Sequence, residues 1–367
     1  MTDGPDEVPL DDIERYLLGA RPTLTRTEVA EQAGVPIELA GELWAQLGFP
    51  RTADDDVAFT GNDVQALRMT AELVSLGIIG AGSQSALVRT WGRSYARLAE
   101  WQAELLASLA LEDDRPGRRV AELVREVTPR VERLQDYVWR RHLVSAAHRL
   151  LATVDASPEA TRMAVAFADI VGYTSRSKNL PESELVDLVE TFENETTRAV
   201  VAVGGRVIKT IGDEVLFVAD SPRAAVEVAL ALTARGADDD DPFPGVRAGI
   251  AYGDVTTRLG DVFGPTVNLA SRLTSLARPG AVLVDRGAFD ALTGQHQASD
   301  TTPDGTPLAR MLDKAAEEPT GDSPYAEHDD LRFRRLRRTS VKGYRALEPW
   351  LVRRTRRPED GRGRGPA

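Results

Sequence analysis

Two aspartates, Asp169 in FADIVGYT and Asp213 in IKTIGDEVLF, each follow an apolar run and stand at a glycine-containing turn. If the strand before Asp169 lies beside the hairpin carrying Asp213, the two carboxylates converge at one end of a sheet. Such an oxygen pair suits Mg²⁺ or Mn²⁺, hard ions usually shared with substrate phosphates. Each aspartate also has a plain role as a polar turn residue, and the spacing alone leaves that open. Zinc does not fit, because the chain has no cysteine and only four histidines. Lys209 is the lone lysine of RVIKTI, either a solvent-facing strand residue or a donor to a ligand. Further on, NLASR sets Asn268 and Arg272 on one face of an expected helix. The glycine-rich turn GDVFGPT before it is a usual place for phosphate or ribose contact. Lys342, in SVKGYR, falls on a turn between two expected strands. Asparagine, arginine and lysine together could hold a ribose and a triphosphate, although each is equally acceptable as an exposed surface residue.

The elements that must position these groups divide the chain in two. Apolar positions recur at helical spacing from about residue 10 to 153, ending in a long stretch, 119–153, that Pro129 is expected to kink or divide. After residue 160 the pattern changes. A strand at 163–168 is followed by a helix after Pro181, the hairpin RVIKTI–GD–EVLFVA and a helix at 221–235. A strand at 246–253, a helix at 265–277, a strand at 281–285 and two last strands near LRFRRLRR and LEPWLVRR follow. Residues 297–330 read as a long loop or insertion, with a short helix at ARMLDKAAEE. This order predicts an α+β, ferredoxin-like sheet with helices on one face. The expected organisation is a helical domain at 1–155 with a connector helix at 130–153, a second domain at 160–354 and a disordered tail at 355–367.

FADIVGYT, GGRVIKTIGDEVLF, GDVFGPTVNLASR and SVKGYR, in this order and spacing, resemble the catalytic domain of class III adenylyl cyclases over roughly residues 160–354. The resemblance implies that Asp169 and Asp213, with the backbone carbonyl of Ile170, bind two Mg²⁺ or Mn²⁺ ions. It implies that Lys209 and Asp261 read the adenine of ATP, Lys donating to a ring nitrogen and Asp accepting from the exocyclic amine. Guanylyl cyclases of this class resemble the same pattern with Glu and Cys at these two places, so ATP is expected over GTP. Asn268 and Arg272 match residues that orient the ribose and stabilise developing charge. Lys342 matches a lysine on the terminal phosphates, and Arg258 a further phosphate-binding arginine. The implied reaction is attack of the ribose 3′-oxygen on the α-phosphorus, giving cyclic AMP and pyrophosphate. The family also implies a homodimer with two sites, each taking its metal aspartates from one chain and its other residues from the partner.

The first half resembles bacterial cyclases in which an N-terminal helical domain restrains the catalytic domain. Its start, TRTEVAEQAGVPIELAGELWAQLGFP, resembles a helix-turn-helix of MerR-type regulators. Charge speaks against DNA: residues 1–60 hold thirteen Asp or Glu and four Arg, and PIELAGELWAQLGF has no Lys or Arg. The net charge of −12 likewise argues against nucleic acid or anionic membrane as a general partner. A transcription regulator with a degenerate, nucleotide-sensing cyclase domain is the second reading, and a guanylyl cyclase the third. GIIGAGS, at 77–83, has the glycines of a dinucleotide loop in the wrong order and reads as a helix break. His142 and His148 lie in the connector among Arg140, Arg141 and Arg149, so added protons there would change its charge as pH falls. That makes them candidate regulatory residues, with an apolar ligand near Leu73–Ile79 as the other candidate stimulus. The acidic N-terminus lacks the pattern of a signal peptide, and LVSLGIIGAG is too short to span a bilayer, so a cytoplasmic protein is expected.

Overall fold

The computed structural model describes residues 10–77, 84–111, 113, 116–154, 161–238, 240–294, 325–337, 339–341 and 344–355. Contacts divide the chain into two compact units, Met1–Ser157 and Pro158–Ala367.

In the first unit the described elements are helices: α1 (Leu10–Leu18), α2 (Arg26–Ala33), α3 (Ile37–Leu47), α4 (Gly61–Ser75), α5 (Gln84–Ala110) and α6 (Pro116–Val154). The T-x-x-E pattern at Thr25 folds as a capping box, Thr25 Oγ1 accepting from Glu28 N while Glu28 accepts from Thr25 N. Gly34, at φ 70°, closes α2 in the left-handed region and turns the chain into α3. Val29, Ala40, Leu43, Val64 and Leu67 then bury a small core between α2, α3 and α4, with Trp44 against Phe59 at its edge. Pro129 does not divide the long helix: α6 runs through it. A proline there has no N–H to give the carbonyl of Arg125. Tyr16 of α1 supplies the replacement, its hydroxyl donating to that carbonyl at 3.2 Å. Between α5 and α6 lies an open groove of about 1250 Å³, lined by Trp91, Tyr95, Trp101, Leu134 and Trp139 among others. No helix among the described residues is long and apolar enough to cross a membrane. Of GIIGAGS, only Gly77 lies among the described residues.

The second unit runs β1 (Thr161–Ile170), α7 (Tyr173–Arg176), α8 (Glu182–Ala202), β2 (Arg206–Ile211), β3 (Glu214–Ala219), α9 (Pro222–Arg235), β4 (Val246–Arg258), β5 (Asp261–Phe263) and α10 (Pro265–Leu276). It continues with β6 (Val282–Val284), α11 (Arg286–Thr293), β7 (Tyr325–His328), β8 (Leu331–Arg335), β9 (Thr339–Val341), β10 (Tyr344–Leu347) and β11 (Trp350–Arg354). The main sheet is mixed, of order β2-β3-β1-β4-β6-β11-β8-β7, in which β4 and β6 are parallel; β5 pairs with β4 off this path, and β9 and β10 pair separately. Residues 295–324, which include most of the expected insertion and its helix, lie outside the described residues.

Alternation along the central strands makes two apolar faces. Ala164, Ala166, Ala168 and Ile170 of β1 join Phe217 and Ile250 under α8, α9 and α11. Met163, Val165 and Phe167 point the other way, with Leu216 and Ala251, onto Ala270 of α10. The expectation of helices on one face is therefore corrected. Both faces of the central strands are apolar, and an unpaired apolar face must be covered. α11 also went unread in the sequence. Asp285 caps it by accepting from Ala288 N at 2.8 Å, and burial pushes the Asp285 carboxyl up to about 6.

Candidate active site

Asp169 is the penultimate residue of β1, and Asp213 stands in the two-residue turn between β2 and β3. The turn is tight because Gly212 adopts φ 65°. Ile170 N donates to the carbonyl of Asp213 at 3.0 Å, which ties the end of β1 to that turn. Register carries the arrangement further: Asp169 lies opposite Glu214 on β3 and opposite Arg247 on β4. Paired residues share a face, so Glu214, Asp169 and Arg247 form one row on the α10 side of the sheet. Nε and Nη2 of Arg247 both lie 2.6 Å from Oδ2 of Asp169. Burial raises the Asp169 carboxyl above the ordinary aspartate value, Arg247 pulls it back, and Asp213 adds to the upward push. Glu214 is pushed up to about 7, by burial first and then by the charges of Asp169 and Asp213.

Lys209 faces the same side. A bulge between Val207 and Lys209 sets Lys209 opposite Leu216, a residue of the α10-side core. Asp261 arrives by a separate route. The last part of β4 leaves the main ladder and pairs with β5 across a turn at Leu259 and Gly260, both at positive φ (55° and 78°). That is the geometry of a tight hairpin turn, and Leu259 is an unusual residue to hold it. Val262 anchors the hairpin in the core beside Val255, and Lys209 Nζ meets Asp261 Oδ2 at 2.5 Å across 52 residues of sequence. Asn268 and Arg272 lie on α10, exposed and half-buried respectively. α10 sits close on the sheet because Gly249 has no side chain: a Cβ there would lie 2.2 Å from Thr274 N and 2.6 Å from Ala270 O. Arg258 is exposed at the far end of β4 from Arg247, directly opposite Asp261. Lys342 lies outside the described residues.

The structure thus brings Asp169 to the Asp213 turn and Lys209 to Asp261. Arg247 and Glu214, which flank Asp169, are not among the candidates that the sequence singles out. Register was the available signal, since VRAGIAYG and EVLFVA both flank β1, but strand order was needed to use it. Among the described residues no three His, Asp or Glu side chains gather closely enough to enclose an ion by themselves. The Asp169 and Asp213 carboxylates, brought together at the end of β1 and the β2–β3 turn, fit a hard divalent cation that takes its remaining oxygens from a substrate.

The adenylate and guanylate cyclase catalytic domain matches residues 156–307. An adenylate cyclase of Streptomyces coelicolor is 40% identical over 95% of this chain and 91% of its own length. One from Streptomyces griseus is 37% identical, covering 94% of this chain and 90% of that protein. A pH-sensitive adenylate cyclase of Mycobacterium tuberculosis is 34% identical over 78% of this chain and 76% of that protein. The chain belongs to this family, the class III nucleotide cyclases.

Proposed function

We propose that the protein is an adenylyl cyclase that converts ATP to 3′,5′-cyclic AMP and pyrophosphate, working as a homodimer with two interfacial sites. The observation that carries the reading is the Lys209–Asp261 pair, a fixed donor and acceptor on the α10 side of the sheet. An ammonium has three donors, so Lys209 can keep Asp261 and still donate to an adenine ring nitrogen. Asp261 accepts from the exocyclic amine. A guanine would set its carbonyl against that carboxylate and leave buried polar groups unpaired.

Asp169, Asp213 and the Ile170 carbonyl would hold two Mg²⁺ or Mn²⁺ ions, which supply charge neutralisation for in-line phosphoryl transfer. Asn268 orients the ribose so that its 3′-oxygen faces the α-phosphorus. Arg272 stabilises the charge that develops as that bond forms and the bond to pyrophosphate breaks. Lys342 and Arg258 bind phosphate oxygens. Each site takes its metal aspartates from one chain and its remaining residues from the partner. We read the sheet as the ferredoxin-like arrangement of this class.

The helical unit is the regulatory part. His142 and His148 are exposed on α6, where Asp136 pairs with Arg140 at 2.9 Å, and their protonation changes the charge of the segment leading to β1. Replacing both by glutamine flattens the pH–activity profile on this reading; an unchanged profile removes it. The groove between α5 and α6 supports an apolar ligand as the other stimulus; the stretch expected to hold one, Leu73–Ile79, lies partly outside the described residues. The test of the whole reading is cyclic AMP formation from ATP with Mn²⁺ or Mg²⁺, beside GTP. No product from either nucleotide, with ATP still bound, would instead favour a nucleotide sensor.

A further inference from the structure

Asp169 has an occupant for its charge that comes from the fold itself. Its side chain is 13% exposed and that of Arg247 35%, so the carboxylate is largely withdrawn from water and the guanidinium only partly. Both nearby guanidinium nitrogens converge on Oδ2, and no described residue donates a hydrogen bond to Oδ1. The pairing is not a chance meeting of flexible side chains. Asp169 and Arg247 face each other in register on adjacent, hydrogen-bonded strands, and the ladder continues unbroken from Thr161 to Ile170. On the other side of Asp169, Glu214 adds a further carboxylate with no cation of its own in the row.

We infer that Arg247 is a built-in counter-cation for Asp169. It is a positioning residue that holds the carboxylate in place before a divalent ion arrives and competes with that ion for it. The inference rests on Asp169 being a metal ligand, as proposed above. A partly buried carboxylate without metal needs a partner, and a planar guanidinium fixed by its strand supplies one with little loss of freedom. The same positive charge opposes a bare divalent ion at short range. It opposes far less an ion whose charge a triphosphate already neutralises. The nucleotide-free site therefore takes up metal weakly, and it fills when the ion arrives together with the nucleotide.

The test is Mn²⁺ binding to the full chain, followed by the loss of free-ion electron paramagnetic resonance signal, without nucleotide and with the unreactive α,β-methylene-ATP. Arg247→Gln should bind Mn²⁺ roughly tenfold more tightly than wild type without nucleotide, an effect of the size usual for coupled sites. The difference should shrink with the analogue present. Arg247→Lys keeps the charge and should stay near wild type. Metal-free Arg247→Gln should also melt below wild type and be restored by Mn²⁺. Unchanged or weaker Mn²⁺ binding by Arg247→Gln, or equal behaviour of the Gln and Lys variants, overturns the inference. Asp169→Asn separates the two levels. If it binds Mn²⁺ as wild type does, the assignment of Asp169 as a ligand is wrong and the counter-cation role falls with it; if it loses Mn²⁺, a failure of Arg247→Gln is a failure of the counter-cation alone.

Discussion

Lys209 and Asp261 are the residues proposed to set nucleotide choice. Exchanging them together, Lys209→Glu with Asp261→Cys, is expected to lower kcat/KM for ATP by at least roughly a hundredfold, because a site built to pair with adenine is left with mismatched polar groups. GTP turnover should rise in the same variant, and parallel assays with the two nucleotides measure both. A double variant that still prefers ATP would remove the pair from base recognition. Asp285 carries a separate expectation, for stability. Burial raises its folded pKa to about 6, above the ordinary aspartate value, so the fold tolerates the neutral acid better. Its favourable contribution is present in full below the unfolded value and is lost as pH rises through about 6. Asp285→Asn never ionises and keeps an acceptor for Ala288 N. The melting temperature of the variant relative to wild type should therefore climb between pH 4 and 7, by the equivalent of about 2 kcal/mol. A constant difference across that range contradicts the raised pKa.

The helix α10 carries Asn268 and Arg272, and its seat depends on Gly249. Gly249→Ala puts a methyl group into backbone atoms of Ala270 and Thr274, which cannot swing away as a side chain can. The expected cost is about 1–3 kcal/mol of stability. A larger fall in kcat than in nucleotide affinity should accompany it, because the helix shifts relative to the strands; stability equal to wild type would show that α10 is not held so closely. In the first unit, Tyr16 and Pro129 are coupled through the carbonyl of Arg125. Tyr16→Phe should cost about 1 kcal/mol in the wild type and close to nothing beside Pro129→Ala, where the new N–H takes over that carbonyl. Equal costs in the two backgrounds would mean that the hydroxyl does not compensate for the proline.

For the whole molecule, the proposed sharing of each site between two chains makes a prediction that no single chain can satisfy. Asp169→Asn and Arg272→Ala should each abolish cyclase activity alone. Mixed after dissociation, they should regain about a quarter of wild-type activity, since half the dimers would be mixed and each mixed dimer has one intact site. No recovery on mixing, with exchange of subunits verified, would place all site residues within one chain. The boundary at Ser157 and Pro158 marks the cut for the regulatory question. Residues 158–367 alone should turn over ATP faster than the full chain, or with less dependence on pH, if the helical unit restrains the catalytic one.

Much of this was legible one motif at a time. Asp169, Asp213, Lys209, Asn268 and Arg272 stand out in short stretches, because turn glycines, a lone strand lysine and an i, i+4 pair are local patterns, whereas Asp261 comes only through the family resemblance. Helices α2 and α3 and the hairpin β2–β3 were equally local, written in a capping box and a Gly-Asp turn. Other features depend on which strands become neighbours. Arg247 and Glu214 flank Asp169 only because β1 inserts between β3 and β4, and nothing local to VRAGIAYG announces that. The same holds for α10 on the second face of the sheet, for Gly249 as its seat, and for the meeting of Lys209 with Asp261, which needs β4 and β5 to fold back over the core. Short-range chemistry fixes turns, caps and periodicity; pairing across the sheet is a long-range choice made by burying both of its apolar faces.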